Sequence, residues 1–231
     1  MIPPAGPEPA VLVLAQAPVP GQCKRQLEPY LGPEGCADLQ RLLLRRAAGW
    51  AIAIAPGAAH LAVHPATARD EVAGLVPSDM EVFEQSEGTL GERLSSAVAS
   101  VRDGAERLLI AGVDTPMLKA EHAAAALDDL QSGWGVSFGP STDGGCYLLG
   151  LARPDRELLA GAVGAWSRSE LMARALEATR AGSLSLALLR SERELHAPGD
   201  ARALLADPLA PPDIIERLRP ARWPRSSRAP G

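Results

Sequence analysis

Short apolar runs alternate with helix-like segments along most of this 231-residue chain, and this alternation constrains the fold more than any other feature. The first run, AVLVLA at residues 10–15, is continuously apolar, as is typical of a strand buried on both faces. A loop rich in Pro and Gly follows. A segment with Pro33 at a first helical position then carries leucines at helical spacing. Strand, loop and helix therefore make up the opening unit.

The later segments repeat this unit with one exception. They predict strands over 60–64, 80–85, 107–114 and 184–190, and helices near 68–75, 90–104, 119–133, 168–182 and 198–207. The strand-like runs 134–141 and 146–152 flank the turn TDGG, which indicates an antiparallel insertion. Together these patterns predict an α/β fold, a three-layer α/β/α sandwich whose central sheet is mostly parallel.

The same patterns predict how the chain is divided. We expect one domain over residues 10–218, because no linker or internal repeat interrupts the alternation. A flexible N-terminus is expected over 1–9. The segment 219–231 is rich in Pro, Arg and Ser and is predicted to be a disordered tail. The sequence carries no signal for an oligomeric state.

Charge and composition exclude several kinds of partner. A net charge of −5 gives no basic surface for nucleic acid. The longest apolar runs are far shorter than the roughly 20 residues that a membrane span needs, and the first residues lack a signal-peptide pattern. Three cysteines without CxxC spacing argue against a disulfide framework or a zinc site. We therefore predict a cytoplasmic protein with small-molecule ligands.

Two acidic residues follow predicted strands whose ends should meet. Asp114 ends the run LLIAGVD and precedes a Thr-Pro turn, and Asp143 lies in the loop GPSTDGG. Ligands of such sheets bind beyond the carboxyl ends of the strands. Mg²⁺ takes carboxylate oxygens together with substrate phosphates. The pair therefore predicts a site for a nucleotide-bound cation; the alternative is that Asp114 only caps the following turn.

The first loop, PVPGQCKRQL, is a candidate phosphate binder. Gly21 offers free backbone N–H groups near Lys24 and Arg25, and a helix starts soon after. The loop has no Walker A pattern, and the chain has no G-x-G-x-x-G fingerprint. An ordinary solvated Lys-Arg pair remains the alternative.

Six blocks, taken in order, resemble the bacterial radical-SAM/selenodomain-associated transferases. They are LAQAPVPGQCKRQL, EGTLGERL, LLIAGVDTPML, GPSTDGGCYLLGL, AWSRSELM and ELHAPGDARALL. That family comprises arsenosugar-biosynthesis-type glycosyltransferases and is related to molybdenum-cofactor and phospholactate guanylyltransferases. The resemblance implies a GT-A, nucleotide-diphospho-sugar transferase fold. It also implies a transferase that uses Mg²⁺ or Mn²⁺, a nucleotide sugar or NTP, and a small-molecule acceptor.

The resemblance also assigns roles to residues that bind the nucleotide. Asp114 is similar to the metal-binding Asp of the family's G-[SC]-D-x-P motif. Lys24 is similar to the lysine of its P-G-x-x-K-T-R-L loop. Gly91, Glu92 and Arg93 match its L-G-E-R motif.

A second group of residues is assigned to the acceptor. Gly144, Gly145 and Tyr147 lie in the block that contains Asp143, which would orient the acceptor or act as a base. Trp166 is expected to shape the acceptor pocket; the alternative is that its ring fills the core beside a helix start.

The chain departs from the family pattern at charged positions. Gln26 replaces the second basic residue of the first loop, Gln16 replaces a lysine near the end of the first strand, and Cys146 replaces a tyrosine. Glu194 and His196 stand where the family has the two aspartates of D-x-D-T-P. Either these two residues still bind a metal, since carboxylate and imidazole both suit Mn²⁺-like ions, or the site is eroded.

The sequence is therefore compatible with three functions. The first is glycosyl transfer from a nucleotide sugar. The second is nucleotidyl transfer from an NTP with release of pyrophosphate. The third is nucleotide binding without catalysis, in a relative whose metal site no longer works.

Overall fold

A computed structural model describes residues 9–101, 106–153, 177, 180, 185–219, 221 and 223. In these parts of the chain seven strands form one sheet, in the order β3-β2-β1-β4-β6-β5-β7. The strands are β1 (Ala10–Gln16), β2 (Ala59–His64), β3 (Glu81–Glu84), β4 (Leu108–Gly112), β5 (Val136–Pro140), β6 (Cys146–Leu151) and β7 (Leu186–Leu188). Only β6 runs antiparallel to its neighbours in the described sheet.

The described helices lie between or after these strands. They are α1 (Glu28–Ile54), α2 (Arg69–Ala73), α3 (Leu90–Ser100), α4 (Ala120–Gln131), α5 (Pro198–Ala206) and α6 (Pro212–Leu218), with a short 3₁₀ helix over Ala66–Ala68. Among the described residues, no helix is long and apolar enough to cross a membrane.

Both faces of the sheet are covered, which makes three layers. Along β1, alternate side chains point to opposite faces, so Val11 and Val13 pack under α1 while Leu12 packs under α3. Helices α1, α2 and α4 cover the first face, and α3 covers part of the second. The continuous apolar run of β1 follows directly from this two-sided burial.

A third apolar cluster, here called the α1–α5–α6 cluster, lies beside the sheet. Its buried members are Leu27, Cys36, Leu39, Leu43, Leu195, Ala201, Leu204, Ala210, Ile214 and Leu218. The cluster packs the beginning of α1 against α5 and α6. It therefore joins two parts of the chain that are far apart in sequence.

The predicted fold class is confirmed, including the antiparallel pairing of β5 and β6 on either side of the TDGG turn. Two details differ from the sequence prediction. Helix α1 begins at Glu28, before Pro33, and breaks at Gly32, whose φ of 70° and ψ of 166° are not helical. Helix α6 was not predicted, although Pro212 stands in its first turn.

Several predicted segments lie outside the described residues. These are Trp166, the predicted helix over 168–182 apart from residues 177 and 180, residues 1–8 of the N-terminus, and residues 220, 222 and 224–231 of the tail.

Candidate functional site

A cleft of about 380 Å³ opens at the carboxyl ends of β1 and β4. These two strands are adjacent, and the chain passes to β2 and β3 on one side and to β4 on the other. Such a switch point is where open α/β sheets bind ligands. Asp114 and Glu194 line the cleft. So do His64, which ends β2, and Gln85, which follows β3, on the other side of β1, together with Arg93, which contacts Gln85.

Three residues predicted to bind a metal come together beside this cleft. One ligand atom each of Asp114, Glu194 and His196 lies within 4.8 Å of the others. His196 Nδ1 is 3.5 Å from Asp114 Oδ2, and His196 Nε2 is 3.6 Å from Glu194 Oε2. The Glu194 side chain is buried, while Asp114 and His196 are partly exposed. This group is called the carboxylate–histidine cluster below.

Lys24 approaches the Asp114 carboxylate from the protein interior. Its Nζ donates hydrogen bonds to Asp114 Oδ1 at 2.6 Å and to the Leu195 carbonyl at 2.7 Å. The Lys24 side chain is only 3% exposed, so this ion pair is largely shielded from water. The backbone N–H of Leu195 also donates to the Asp114 carbonyl at 2.7 Å. Three segments distant in sequence are thereby joined at Asp114.

The backbone of the first loop holds Lys24 in an uncommon conformation. Its φ is 51°, a left-handed value that few residues with a Cβ adopt. Its carbonyl accepts a hydrogen bond from Leu27 N at 2.8 Å and another from Cys36 Sγ at 3.5 Å. Gly21 and Arg25 of this loop are exposed. Of the two predicted phosphate-binding cations, the described structure therefore buries one and leaves the other in solvent.

The segment that carries Glu194 and His196 is fixed by the start of α5. The Asp200 carboxylate accepts hydrogen bonds from the backbone N–H groups of His196 and Ala197, at 3.2 and 2.9 Å. Arg193 forms an ion pair with the same carboxylate at 3.0 Å. Asp200 in the first turn of α5 thus orients the backbone beside the cluster.

Asp143 has a different environment at the same edge of the sheet. It is exposed in the turn between β5 and β6, where its Oδ1 accepts hydrogen bonds from Ser141 Oγ and from Gly145 N. Gly144 has a φ of 90°, which the turn requires and which glycine adopts without strain. Asp143 is not among the described residues that line the cleft.

The residues matched to L-G-E-R lie at the start of α3. Glu92 forms a capping box with Thr89, because each side chain bonds the other residue's backbone N–H. The hydrogen bonds that the Thr89 backbone N–H and hydroxyl donate to the Glu92 carboxylate lower the pKa of that group. Arg93 lines the cleft, and its Nη1 donates to Gln85 Oε1 at 3.3 Å. Gly91 lies in the same turn of α3.

Gln85 is a site residue that the sequence reading did not single out. Its Nε2 donates to the carbonyls of Ala62 and Ala15, at 2.8 and 3.2 Å. These bonds fix the amide orientation, so Oε1 faces Arg93 as an acceptor. A buried amide after a predicted strand is the only sequence signal for this role, and that signal is weak.

A polar network lies around Arg190 and Glu192, next to the segment that carries Glu194. Tyr147 is fully buried, and its hydroxyl donates to the Arg190 carbonyl at 3.1 Å. His122 Nε2 lies 2.9 Å from Glu192 Oε1, and Arg190 Nε donates to the same oxygen at 2.9 Å. Burial raises the pKa of the Tyr147 hydroxyl. The network ties α4 to the chain just before Glu194.

The three cysteines lie in different environments, with Cys23 and Cys36 buried and Cys146 partly exposed. Burial raises the pKa of the Cys23 thiol, and it raises the pKa of Cys36 to about 11. Thiols with raised pKa values are poor nucleophiles near neutral pH. Cys146 lines the cleft, but its Sγ is within 3.1 Å of the Leu148 carbonyl.

The donor set of the carboxylate–histidine cluster fits a divalent cation. Two carboxylates and one imidazole suit borderline ions such as Mn²⁺, whereas Mg²⁺ prefers oxygen ligands alone. Partial exposure of Asp114 and His196 leaves an approach from the solvent side.

Comparison with solved structures shows the fold. The structure is similar to a provisionally assigned nucleotide-diphospho-sugar transferase of Desulfovibrio desulfuricans G20, with a TM-score of 0.78 and 24% identity over 93% of this chain and 95% of that one. It is also similar to a 4-diphosphocytidyl-2C-methyl-D-erythritol synthase (TM-score 0.56, 17% identity, 88% and 100% of the two chains). A third similar structure is a CMP:2-keto-3-deoxy-manno-octonic acid synthetase in complex with CTP (TM-score 0.51, 15% identity, 86% and 98%).

These similarities confirm the predicted nucleotide-diphospho-sugar transferase fold. At the level of sequence, no curated protein matches the chain. One family does match: its members are described as uncharacterized proteins conserved in bacteria, DUF2064, and the match covers residues 50–168, just over half of the chain. The chain therefore belongs to the DUF2064 family.

Proposed function

We propose that the protein is a metal-dependent transferase that moves a sugar from a nucleotide-sugar donor to a small-molecule acceptor. The observation that carries this proposal is the convergence of Asp114, Glu194 and His196 beside a cleft at the sheet's switch point. The fold and the resemblance to arsenosugar-biosynthesis-type glycosyltransferases support the same activity.

In this proposal Asp114, Glu194 and His196 hold Mn²⁺ or Mg²⁺, with Mn²⁺ favoured by the imidazole. The bound cation would neutralise charge that develops on the leaving diphosphate. The exposed loop residues Gly21 and Arg25 are positioned at the solvent side of the first loop, where they would contact phosphates. Arg93 lines the cleft and is hydrogen-bonded to Gln85, and it would contact the nucleoside part of the donor.

The acceptor would bind on the side of the β5–β6 turn. Asp143 would take a proton from the attacking hydroxyl, because its carboxylate is exposed and anchored by the turn. Gly144 and Gly145 would allow close approach of the acceptor to the backbone. Tyr147 supports this turn from the core, and Trp166 is assigned to the acceptor by the family resemblance alone.

Nucleotidyl transfer is the second candidate. The structural similarity to enzymes named as cytidylyl-type synthases, one of them in complex with CTP, favours it. The same groups would then support attack at the α-phosphorus of an NTP, with pyrophosphate as the leaving group.

A ligand screen followed by product analysis separates these candidates. Thermal unfolding is measured with UDP-, GDP-, ADP- and dTDP-sugars and with the four NTPs, each with Mn²⁺, Mg²⁺ or EDTA. A ligand that binds only the folded protein raises the melting temperature. We expect a metal-dependent shift with a nucleotide sugar, followed by release of the nucleoside diphosphate on turnover.

Each alternative has its own signature in this screen. Pyrophosphate release from an NTP that requires a phosphorylated acceptor would exclude glycosyl transfer and favour nucleotidyl transfer. No shift with any nucleotide in the presence of metal would contradict both transferase proposals.

A further inference from the structure

We infer that the carboxylate–histidine cluster takes a divalent cation together with a diphosphate and binds the free cation poorly, because Lys24 already acts as its resident cation. The inference rests on the proposed function, since it concerns the same site. It adds that the site accepts the cation as a complex with a diphosphate, and that Lys24 causes this preference.

The contact between Lys24 and Asp114 is the first support. Nζ lies 2.6 Å from Asp114 Oδ1, whereas His196, on the other oxygen, is 3.5 Å away. A charge-assisted bond of this length is strong, and the Lys24 side chain is only 3% exposed. A cation that binds Asp114 must therefore compete with an ammonium that water scarcely screens.

The charge of the cluster is the second support. Asp114 and Glu194 supply two carboxylates to the cluster, and Lys24 supplies one ammonium. A divalent cation alone would leave a net positive site. The negative charges of a diphosphate would offset that excess, and repulsion in a partly buried site is stronger than in water. The cluster is thus better matched to a cation–diphosphate complex.

The backbone of Lys24 is the third support. Its carbonyl is held by Leu27 and Cys36, and its φ of 51° is fixed within the loop. When a cation binds, only the side chain of Lys24 can therefore move. The ammonium can leave Asp114 only if another anion replaces it, because an unpaired buried charge is costly. A phosphate is the anion that the proposed substrate brings.

The experiment measures Mn²⁺ binding without nucleotide, from the electron paramagnetic resonance signal of free Mn²⁺. Lys24→Met is expected to bind Mn²⁺ about tenfold or more tightly than the wild type, since the resident charge is gone. Arg45→Met is the control, because it removes the same formal charge from an exposed residue of α1 that has no role in the proposed site. We expect its Mn²⁺ affinity to stay within about twofold of the wild type.

A second variant guards against loss of folding. Lys24→Gln keeps a polar amide on a side chain one bond shorter but has no charge, and we expect the same gain in Mn²⁺ affinity. Asp114→Asn in the Lys24→Gln background should abolish that gain, which locates the cation at this cluster. Far-UV circular dichroism establishes that each variant used in the comparison is folded.

The diphosphate arm uses UDP, GDP, CDP, ADP and dTDP as probes, measured by calorimetry at saturating Mn²⁺ and in EDTA. In the wild type we expect Mn²⁺ to strengthen binding of at least one probe about tenfold or more, and linkage requires the probe to strengthen Mn²⁺ binding equally. In the charge-removing variants of Lys24 this ratio should fall.

The outcomes distinguish the inference from the proposed function. Equal Mn²⁺ affinity in the wild type and both Lys24 variants, with Mn²⁺-dependent nucleotide binding intact, would overturn the inference and leave the proposed function standing. Failure of the wild type to bind any probe with Mn²⁺ would overturn the proposed function and this inference with it.

Discussion

Two aspartates at the same edge of the sheet are held in opposite ways. Asp114 is bonded by Lys24, 90 positions away in sequence, and its backbone carbonyl accepts from Leu195. Asp143 is bonded within its own turn, by residues two positions away on either side. The first carboxylate is therefore placed by the tertiary fold, and the second by local chain geometry.

This difference separates two kinds of task. A metal ligand must meet other ligands from distant segments, so it belongs on a part of the chain that the fold holds rigidly. A group that meets a variable acceptor is better placed on an exposed turn. The comparison accordingly supports the proposal that the Asp114 region binds the cation and the Asp143 region meets the acceptor.

Asp114→Asn gives the largest expected effect. With the donor identified by the screen, we expect the transfer rate to fall at least about 100-fold, because the cation loses a charged ligand and Lys24 loses its ion pair. Steady-state assays at several Mn²⁺ concentrations measure the loss. Asp128→Asn, an exposed aspartate on α4, is the control and should retain full activity. An Asp114→Asn rate near the wild-type value would remove Asp114 from the chemistry.

Asp143→Asn sharpens the comparison by separating binding from turnover. Asparagine keeps the oxygen that accepts from Ser141 and Gly145, so the turn should survive. We expect Mn²⁺ affinity within about twofold of the wild type and a transfer rate reduced about 100-fold, the usual range for loss of a general base. A matched Ser141→Ala variant weakens the turn without removing the charge. If Asp143→Asn weakened Mn²⁺ binding and Ser141→Ala did not, Asp143 would belong to the same cation site as Asp114.

Glu192→Gln tests the link between the two regions. The Glu192 carbonyl accepts from Thr142 N, while its carboxylate meets His122 and Arg190. We expect the free energy of unfolding to fall by about 1–2 kcal/mol, since the carboxylate is mostly buried and its bonds are charge-assisted. Urea denaturation measures the change.

The control for Glu192→Gln is a change at Glu121, which also pairs with Arg190. Glu121 pairs with Arg190 at 2.7 Å but is exposed, so Glu121→Gln should have a clearly smaller effect on stability. Equal effects of the two variants would mean that burial of Glu192 does not matter to the network.

Tyr147→Phe has the smallest expected effect. It removes the hydroxyl that bonds the Arg190 carbonyl, and we expect a loss of about 1 kcal/mol in the free energy of unfolding. The transfer rate should change less than about twofold, because the ring is fully buried and supports the turn only from below. Thermal unfolding and initial rates are compared with Tyr30→Phe, the other tyrosine. A tenfold lower rate would show that Tyr147 contacts the acceptor after all.

The fold could be predicted from the sequence because its signals are local. Two-sided burial of β1 gives a continuous apolar run, and the TDGG turn marks the antiparallel pair β5 and β6. The break at Gly32 was missed because a helix can begin on either side of a Gly-Pro step. The assignment of Asp114, Glu194 and His196 to one group came from the family resemblance, and their proximity is a property of the described structure.

The ionic partners could not be predicted in the same way. Lys24 and Asp114 were both assigned to the site, but only the tertiary structure pairs them with each other. Gln85 gave only a weak sequence signal, because its role depends on carbonyls from two different strands. Side-chain pairing across long sequence distances is set by packing, which no local pattern encodes.

The α1–α5–α6 cluster has a consequence for the order in which the protein is made. The loop containing Lys24 leaves the ribosome before the Leu195 carbonyl that it bonds, which lies 171 positions later. Leu27 and Leu195 are buried in the same apolar cluster, so the loop is not fixed until α5 and α6 have packed on α1. A nascent chain that has already formed β1 to β4 still lacks two of the three residues of the carboxylate–histidine cluster. The site therefore matures after most of the sheet.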